Sequence, residues 1–245
     1  RPLSVPEIFT YSSNIGSAKM ADQFGAEVQQ AYMAKFGMLE KSPIELPEVG
    51  MPLYPLAKNW KRINTMTVAY GHGISVSPMQ VVSGVSAAVN HGVMIPSTLL
   101  KRNPNEVPAG TRVVSENVSK NIRLLMRLVT TVGTGKFANT PGYLVGGKTG
   151  TADKEKGGRY AAHANLSSFV AAFPMSDPRY LVLIMVDEPK GNAKSHGEST
   201  GGGGAAPAGG AIVERMARLV GMQQIPDDAP EAQNQLIALV PDYDS

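Results

Sequence analysis

A chain of 245 residues is long enough to bury a full core, as one large domain or two small ones. Its 42% hydrophobic and 18% charged residues are ordinary for a globular protein, and a formal charge of +3 without a long basic run lends nucleic-acid binding little support. Zero cysteines exclude disulfides and thiolate metal sites, and the longest apolar run, Leu181 to Val186, is far too short to span a membrane.

The first half is expected to be helical. Ser4-Val-Pro-Glu7 is a capping box that starts a short helix three residues after Arg1. No signal peptide precedes it, so the chain is expected to be a piece of a longer protein. Asn14 stands where an N-cap would open a second helix over Ile15 to Phe36, with Phe24, Val28 and Tyr32 at helical spacing and Gly37 as its stop. Residues 38–65 hold four prolines and predict an irregular excursion. Ser77-Pro78 pairs an N-cap with the proline favoured at N1 and opens a helix that ends by Gly92. Ser115 opens another, with Val118, Ile122, Met126 and Val129 on one face.

The second half is richer in strands. Residues 143–152, 167–175 and 180–187 are the strand candidates, and Ser176-Asp-Pro-Arg179 turns the last two into a hairpin. Gly201 to Gly204 are expected to make a tight strand-to-helix turn before a final helix over 205–221. Residues 222–245 form an acidic, proline-containing tail expected to pack loosely, after a main body over 1–221.

Gly142-Tyr-Leu-Val-Gly-Gly-Lys-Thr-Gly150 fits two motifs with opposed chemistry. As G-x-x-x-x-G-K-T it would be a phosphate-binding loop, which needs a helix directly after Lys-Thr. Tyr143-Leu-Val favours an extended chain, and Gly150 with Gly157-Gly158 opposes a following helix, so nucleotide binding is not expected. Asp187 ends a strand but lacks the surroundings of a magnesium-binding aspartate.

As K-T-G the segment is an active-site strand. Lys148 and Gly150 then share one face, and Thr149 and Thr151 the other. The edge backbone would accept an extended peptide, Gly150 would permit its close approach, and two threonine hydroxyls with one ammonium would suit a carboxylate. A second element, Ser12-Ser-Asn14, matches S-x-N between two predicted helices. Ser115-Glu-Asn117 and Ser119-Lys-Asn121 match too, but lie inside a predicted helix. Ser13 or Asn14 would in any case suit the cap of the next helix.

With these residues in order, nearly the whole chain resembles the C-terminal part of the transpeptidase domain of class B penicillin-binding proteins, most closely the division-specific (septal, FtsI-type) branch. The resemblance rests on Tyr11-Ser-Ser-Asn-Ile-Gly16, Ala69-Tyr-Gly-His-Gly-Ile-Ser-Val-Ser-Pro-Met-Gln80, Val145-Gly-Gly-Lys-Thr-Gly-Thr-Ala152 and Ser168-Phe-Val-Ala-Ala-Phe-Pro174. Asp177-Pro-Arg-Tyr180, Val186-Asp-Glu-Pro189 and Ala205-Ala-Pro207 complete it. It implies an α/β (α+β) fold of the penicillin-binding protein and serine β-lactamase kind, an antiparallel sheet flanked by helices, without the N-terminal part that carries the nucleophile. The family's S-x-x-K serine has no counterpart, since no serine lies three places before any lysine. Motif order therefore implies that this serine and its lysine precede Arg1.

The resemblance further implies a serine acyl-enzyme D,D-transpeptidase acting on peptidoglycan stem peptides and a target of β-lactams. Ser12, Asn14 and Lys148 would be catalytic, and Thr149, Gly150 and Thr151 would bind substrate. It implies divisome membrane proteins as partners and a place on the periplasmic face of the inner membrane, held by a transmembrane helix outside this chain. No cofactor, metal, nucleotide or nucleic acid is implied. His72, His91, His163 and His196 lack metal-ligand spacing. The absence of a deacylating E-x-x-L-N glutamate argues against a class A β-lactamase. A D,D-carboxypeptidase or a non-catalytic penicillin-binding sensor or scaffold remain alternatives. Arg159 and Tyr160 are expected in a loop beside the K-T-G strand.

Overall fold

The computed structural model describes residues 1–156, 159–191 and 197–240. They form two compact units, one of Arg1–Ser12 with Arg123–Ser245 and one of Ser13–Ile122.

The first unit is built on a three-stranded antiparallel sheet of β3 (Gly146–Lys156), β4 (Arg159–Phe173) and β5 (Tyr180–Asp187), with β3 at one edge. Strand alternation puts Phe169, Ala171 and Phe173 of β4 on one face, each fully buried. There they meet Tyr143, Val145 and the final helix α6 (Ala206–Leu219) through Ala206, Val213 and Ala217. Removing a side chain such as Phe169 from water contributes roughly 2–3 kcal/mol. The helix can come this close because Gly209 lacks a side chain: a Cβ there would lie 2.7 Å from Phe169 Cδ1. The hairpin turn at 176–179 is as expected, with Arg179 N–H donating to Phe173 O at 3.1 Å.

Several strand boundaries differ from expectation. β3 begins at Gly146 and continues to Lys156, and β4 begins as early as Arg159. Arg159 and Tyr160 are therefore strand residues, paired with Lys156 and Glu155, and not part of a loop. Cross-strand pairing outweighs the low strand propensity of Asp153-Lys-Glu-Lys156.

Around the sheet, α1 (Val5–Thr10) carries the expected capping box, with Ser4 N–H donating to Glu7 Oε2 at 2.7 Å and Glu7 N–H to Ser4 Oγ at 3.4 Å. The tail is held more firmly than its composition suggests. Ile225 N–H donates to Gly142 O, Asn234 Nδ2 to Leu124 O, Ser4 Oγ to Leu239 O, and Val240 is buried.

The second unit is largely helical. α2 (Asn14–Lys35) has Ser13, not Asn14, as its N-cap: Ser13 Oγ accepts from Gly16 N–H at 3.1 Å. It is interrupted at Gly25 (φ 78°, ψ 177°), a left-handed conformation open to glycine, so the expected single helix is two segments. Phe24, Val28 and Tyr32 do share a face, but they are 49%, 43% and 46% exposed and line an apolar cavity of about 480 Å³ with Met33, Phe36 and Met38.

α3 (Arg62–Val68) is tied to α2 through the buried Gln29, which donates to Thr65 O and accepts from Trp60 Nε1. α4 (Pro78–Val89) has the Ser77 cap as expected, and Gln80, three residues on, completes a capping box. The Gln80 amide also donates to Gly37 O and Glu40 O, which pins the irregular segment. A short pair, β1 (Val93–Met94) with β2 (Thr111–Arg112), precedes α5 (Glu116–Thr131), whose residues from Arg123 onward belong to the first unit.

Candidate active site

The entry to β3 is fixed from α5. Thr130, fully buried, donates through Oγ1 to Val145 O at 2.6 Å, and Arg127 Nη1 reaches the same carbonyl at 2.9 Å and Asn139 Oδ1 at 2.8 Å. Burial pushes the Arg127 guanidinium below its ordinary pKa. These bonds leave little freedom in where β3 starts. Gly146 and Gly147 follow because no side chain fits: a Cβ at Gly147 would lie 2.4 Å from both Phe169 Cζ and Val170 O.

From there the chain runs extended through Lys148-Thr-Gly-Thr151 to Lys156 and does not turn into a helix. That geometry excludes a phosphate-binding loop, which requires a helix N-terminus at this point. Asp187 instead receives Lys154 Nζ at 2.7 Å, an exposed ion pair.

Lys148 extends to Ser12, with Nζ donating to Ser12 Oγ at 2.6 Å and to Thr149 O at 3.2 Å. The serine lies two residues beyond the end of α1, in a left-handed conformation (φ 56°) that is costly for a side chain with a Cβ. Its N–H donates to Phe9 O at 3.3 Å, which closes the turn after α1. Two residues 136 positions apart thus meet at hydrogen-bond distance. Burial lowers the Lys148 ammonium to about 8, since the charged form loses hydration. A lysine with that pKa exchanges its proton with a neighbouring hydroxyl near neutral pH far more readily than an ordinary one.

Thr149 and Thr151 pair with Phe169 and Ser167, on the α6 side of the sheet. Thr149 is half-buried, and its hydroxyl lies 2.8 Å from that of Thr134. Thr151 is exposed, and its Oγ1 accepts from Gly201 N–H at 3.0 Å. Gly150 faces its cross-strand partner: a Cβ there would lie 2.5 Å from Ser168 Oγ. The glycine is thus accounted for by its own sheet as well as by any ligand. Gly201–Ala205 forms a π-helical turn that runs into α6, as the glycine run suggested, and it lies directly on β3. A Cβ on Gly201 would come within 2.6 Å of Gly150 O.

Asn14 is the first residue of α2, exposed, in the second unit. Ser119, first of the rival Ser119-Lys-Asn121 match, is fully buried within α5. Among the described residues no cluster of three or more His, Asp or Glu is suited to a metal. His196 lies outside the described residues. Sequence reasoning missed Thr134, Thr130 and Arg127, whose roles depend on contacts remote in sequence. The only available signal was a threonine set between Gly133 and Gly135.

Residues 1–214 match the penicillin binding protein transpeptidase domain. The chain is 39% identical over 231 residues to a probable peptidoglycan D,D-transpeptidase FtsI of Caulobacter vibrioides, covering 91% of this chain and 39% of the relative. It is 36% identical to stage V sporulation protein D of Bacillus subtilis, over 84% of this chain and 33% of the relative. Among solved structures, the apo transpeptidase domain of Burkholderia pseudomallei penicillin-binding protein 3 superposes with a TM-score of 0.83 at 33% identity, covering 93% of this chain and 67% of that one. Penicillin-binding protein 3 of Mycobacterium tuberculosis complexed with ampicillin gives 0.83 at 27% identity, over 96% and 55%.

The fold is that of a penicillin-binding protein transpeptidase domain. This chain belongs to the penicillin-binding protein transpeptidase family, and it spans about two fifths or less of the length of the curated relatives named above.

Proposed function

We propose that this chain forms part of a peptidoglycan D,D-transpeptidase of septal cell-wall synthesis, and that the observation carrying the reading is the 2.6 Å bond from Lys148 Nζ to Ser12 Oγ. The names of the relatives and the ampicillin complex of a structural neighbour support it. The nucleophile is a serine outside these residues, in an S-x-x-K that precedes Arg1.

That serine attacks the carbonyl of a D-Ala-D-Ala bond. A serine O–C bond forms, the C–N bond to the terminal D-alanine breaks, and the serine proton passes to the leaving amine. Ser12 relays the proton, and Lys148 polarises Ser12. Asn14 donates to an amide carbonyl of the stem peptide, and Thr149 and Thr151 hold its carboxylate. The Thr151 N–H supplies half of the oxyanion hole. In the second step the amine of a neighbouring stem attacks the ester, forming the cross-link and freeing the serine. β-Lactams acylate the same serine. The protein works at the periplasmic face of the inner membrane, anchored by a helix outside this chain, alongside membrane proteins of the division machinery.

The test is product analysis of the intact protein with a D-Ala-D-Ala stem-peptide donor, with and without an added amine acceptor. D-Alanine release together with the aminolysed product is expected, and Ser12→Ala should lower the rate by about 10²–10⁴. Hydrolysis product alone would make the protein a carboxypeptidase. No D-alanine release would leave a sensor or scaffold.

A further inference from the structure

We infer that Thr134 is a positioning residue that orients the Thr149 hydroxyl for an anionic ligand group, an inference that rests on Thr149 binding the substrate carboxylate. Thr134 lies in the loop between α5 and β3, and every atom that fixes its place belongs to the same unit as Thr149. Its N–H donates to Thr10 O at 3.3 Å, two residues before Ser12. The glycines around it leave no room for the loop to shift. A Cβ at Gly133 would lie 2.5 Å from Thr10 O, one at Gly135 3.0 Å from Phe169 Cε2, and one at Gly202 2.7 Å from Thr134 O. The loop is therefore clamped between the last turn of α1, the sheet and the glycine turn before α6. From that fixed position the Thr134 hydroxyl meets Thr149 Oγ1 at 2.8 Å.

A threonine hydroxyl has one proton and two lone pairs, and its rotor is otherwise free. Without a ligand, either member of the Thr134–Thr149 pair can donate to the other. When a carboxylate takes the Thr149 proton, Thr149 must be the acceptor within the pair and Thr134 its donor. The anion then meets a chain of two hydroxyls, each polarising the next. Thr151 is held in the same way by a different group: its oxygen accepts from Gly201 N–H, which leaves its own proton to point elsewhere. Both hydroxyls of the K-T-G-T segment thus have a lone pair engaged from behind, one by a side chain and one by the backbone. Only the first can be removed by substitution without disturbing the main chain. Because the Thr134 backbone also holds the end of α1, the same residue links the Ser12 turn to the carboxylate-binding strand.

Thr134→Val, of equal shape without the hydroxyl, tests this in the intact protein, with second-order acylation by benzylpenicillin and by its methyl ester compared. The acid-to-ester ratio is expected to fall about fivefold, the scale of one lost hydrogen bond, while Thr134→Ser keeps the wild-type ratio. An unchanged ratio in Thr134→Val, with acid and ester equally slowed or neither slowed, would overturn the inference. If Thr134→Val does not fold, Thr134→Ser decides: a wild-type ratio supports the role of the hydroxyl, and a lost ratio removes it. Absence of acylation of the wild-type protein by either compound would instead overturn the transpeptidase reading, and this inference with it.

Discussion

An ammonium group drawn out of water holds its proton less firmly, and for Lys148 that has a measurable sign. Its pKa falls from 10.5 in the unfolded chain to about 8 in the folded one. Between these values the unfolded chain binds more protons, so stability rises with pH from about 8 towards 10.5, and below about 8 the cost of shielding the charge is fully present. Lys148→Met removes the titration. Urea unfolding at pH 7.5 and 9.5 should show the wild type gaining about 1 kcal/mol on the variant over that interval, a figure discounted because the lysine is only half-buried. Parallel pH profiles would mean that the ammonium is well hydrated. Lys148 and Ser12 could be picked out as candidates from K-T-G and S-x-N, and the fold brings them within hydrogen-bond distance. The depressed pKa was not legible, because it follows from desolvation by residues that only folding brings near.

At the scale of elements, the contact that shapes the site is the seating of Gly201–Ala205 on the backbone of β3. Gly201→Ala places a Cβ 2.6 Å from Gly150 O and 2.9 Å from Ser168 O, both main-chain atoms held in the sheet. The expected cost is about 1–3 kcal/mol, read as a lower midpoint of thermal unfolding, together with slower acylation of the intact protein as the bond from Gly201 N–H to Thr151 is displaced. Gly50, with nothing within 4 Å of its Cβ position, is the control, and Gly50→Ala should stay within about 0.5 kcal/mol of wild type.

The sequence made this turn recognisable as a strand-to-helix connection, since four glycines precede Ala205-Ala-Pro207. What rests on it was hidden, because close approach depends on the neighbouring strand. The same holds for the hairpin of β3 and β4. The strand was expected to end at residue 152 with Arg159 and Tyr160 in a loop, and ten register partners carry the pairing on to Lys156 and Arg159. Local signals were most reliable where the cap is self-contained: Ser4 and Ser77 each make the capping box within four residues. The Gly25 break in α2 was not legible, since an isolated glycine within helical spacing is usually tolerated.

Across the whole molecule, motif order was more informative than any single motif. S-x-N occurs three times, and only Ser12 reaches the lysine of K-T-G, because the chain returns from α1 and, after the second unit, completes the sheet of the first. That closure over 136 residues is a topological fact with no local signature. The phosphate-binding pattern, from which no nucleotide binding was expected, lies in a strand that continues to Lys156.

The most direct test of the acyl-transfer reading is to label the intact protein with a fluorescent penicillin and locate the adduct by peptide mass spectrometry. The expected result is one adduct, on a serine that precedes Arg1, formed much more slowly in Lys148→Ala. An adduct on Ser12 or on any other residue of this chain, or no adduct at all, would contradict the account.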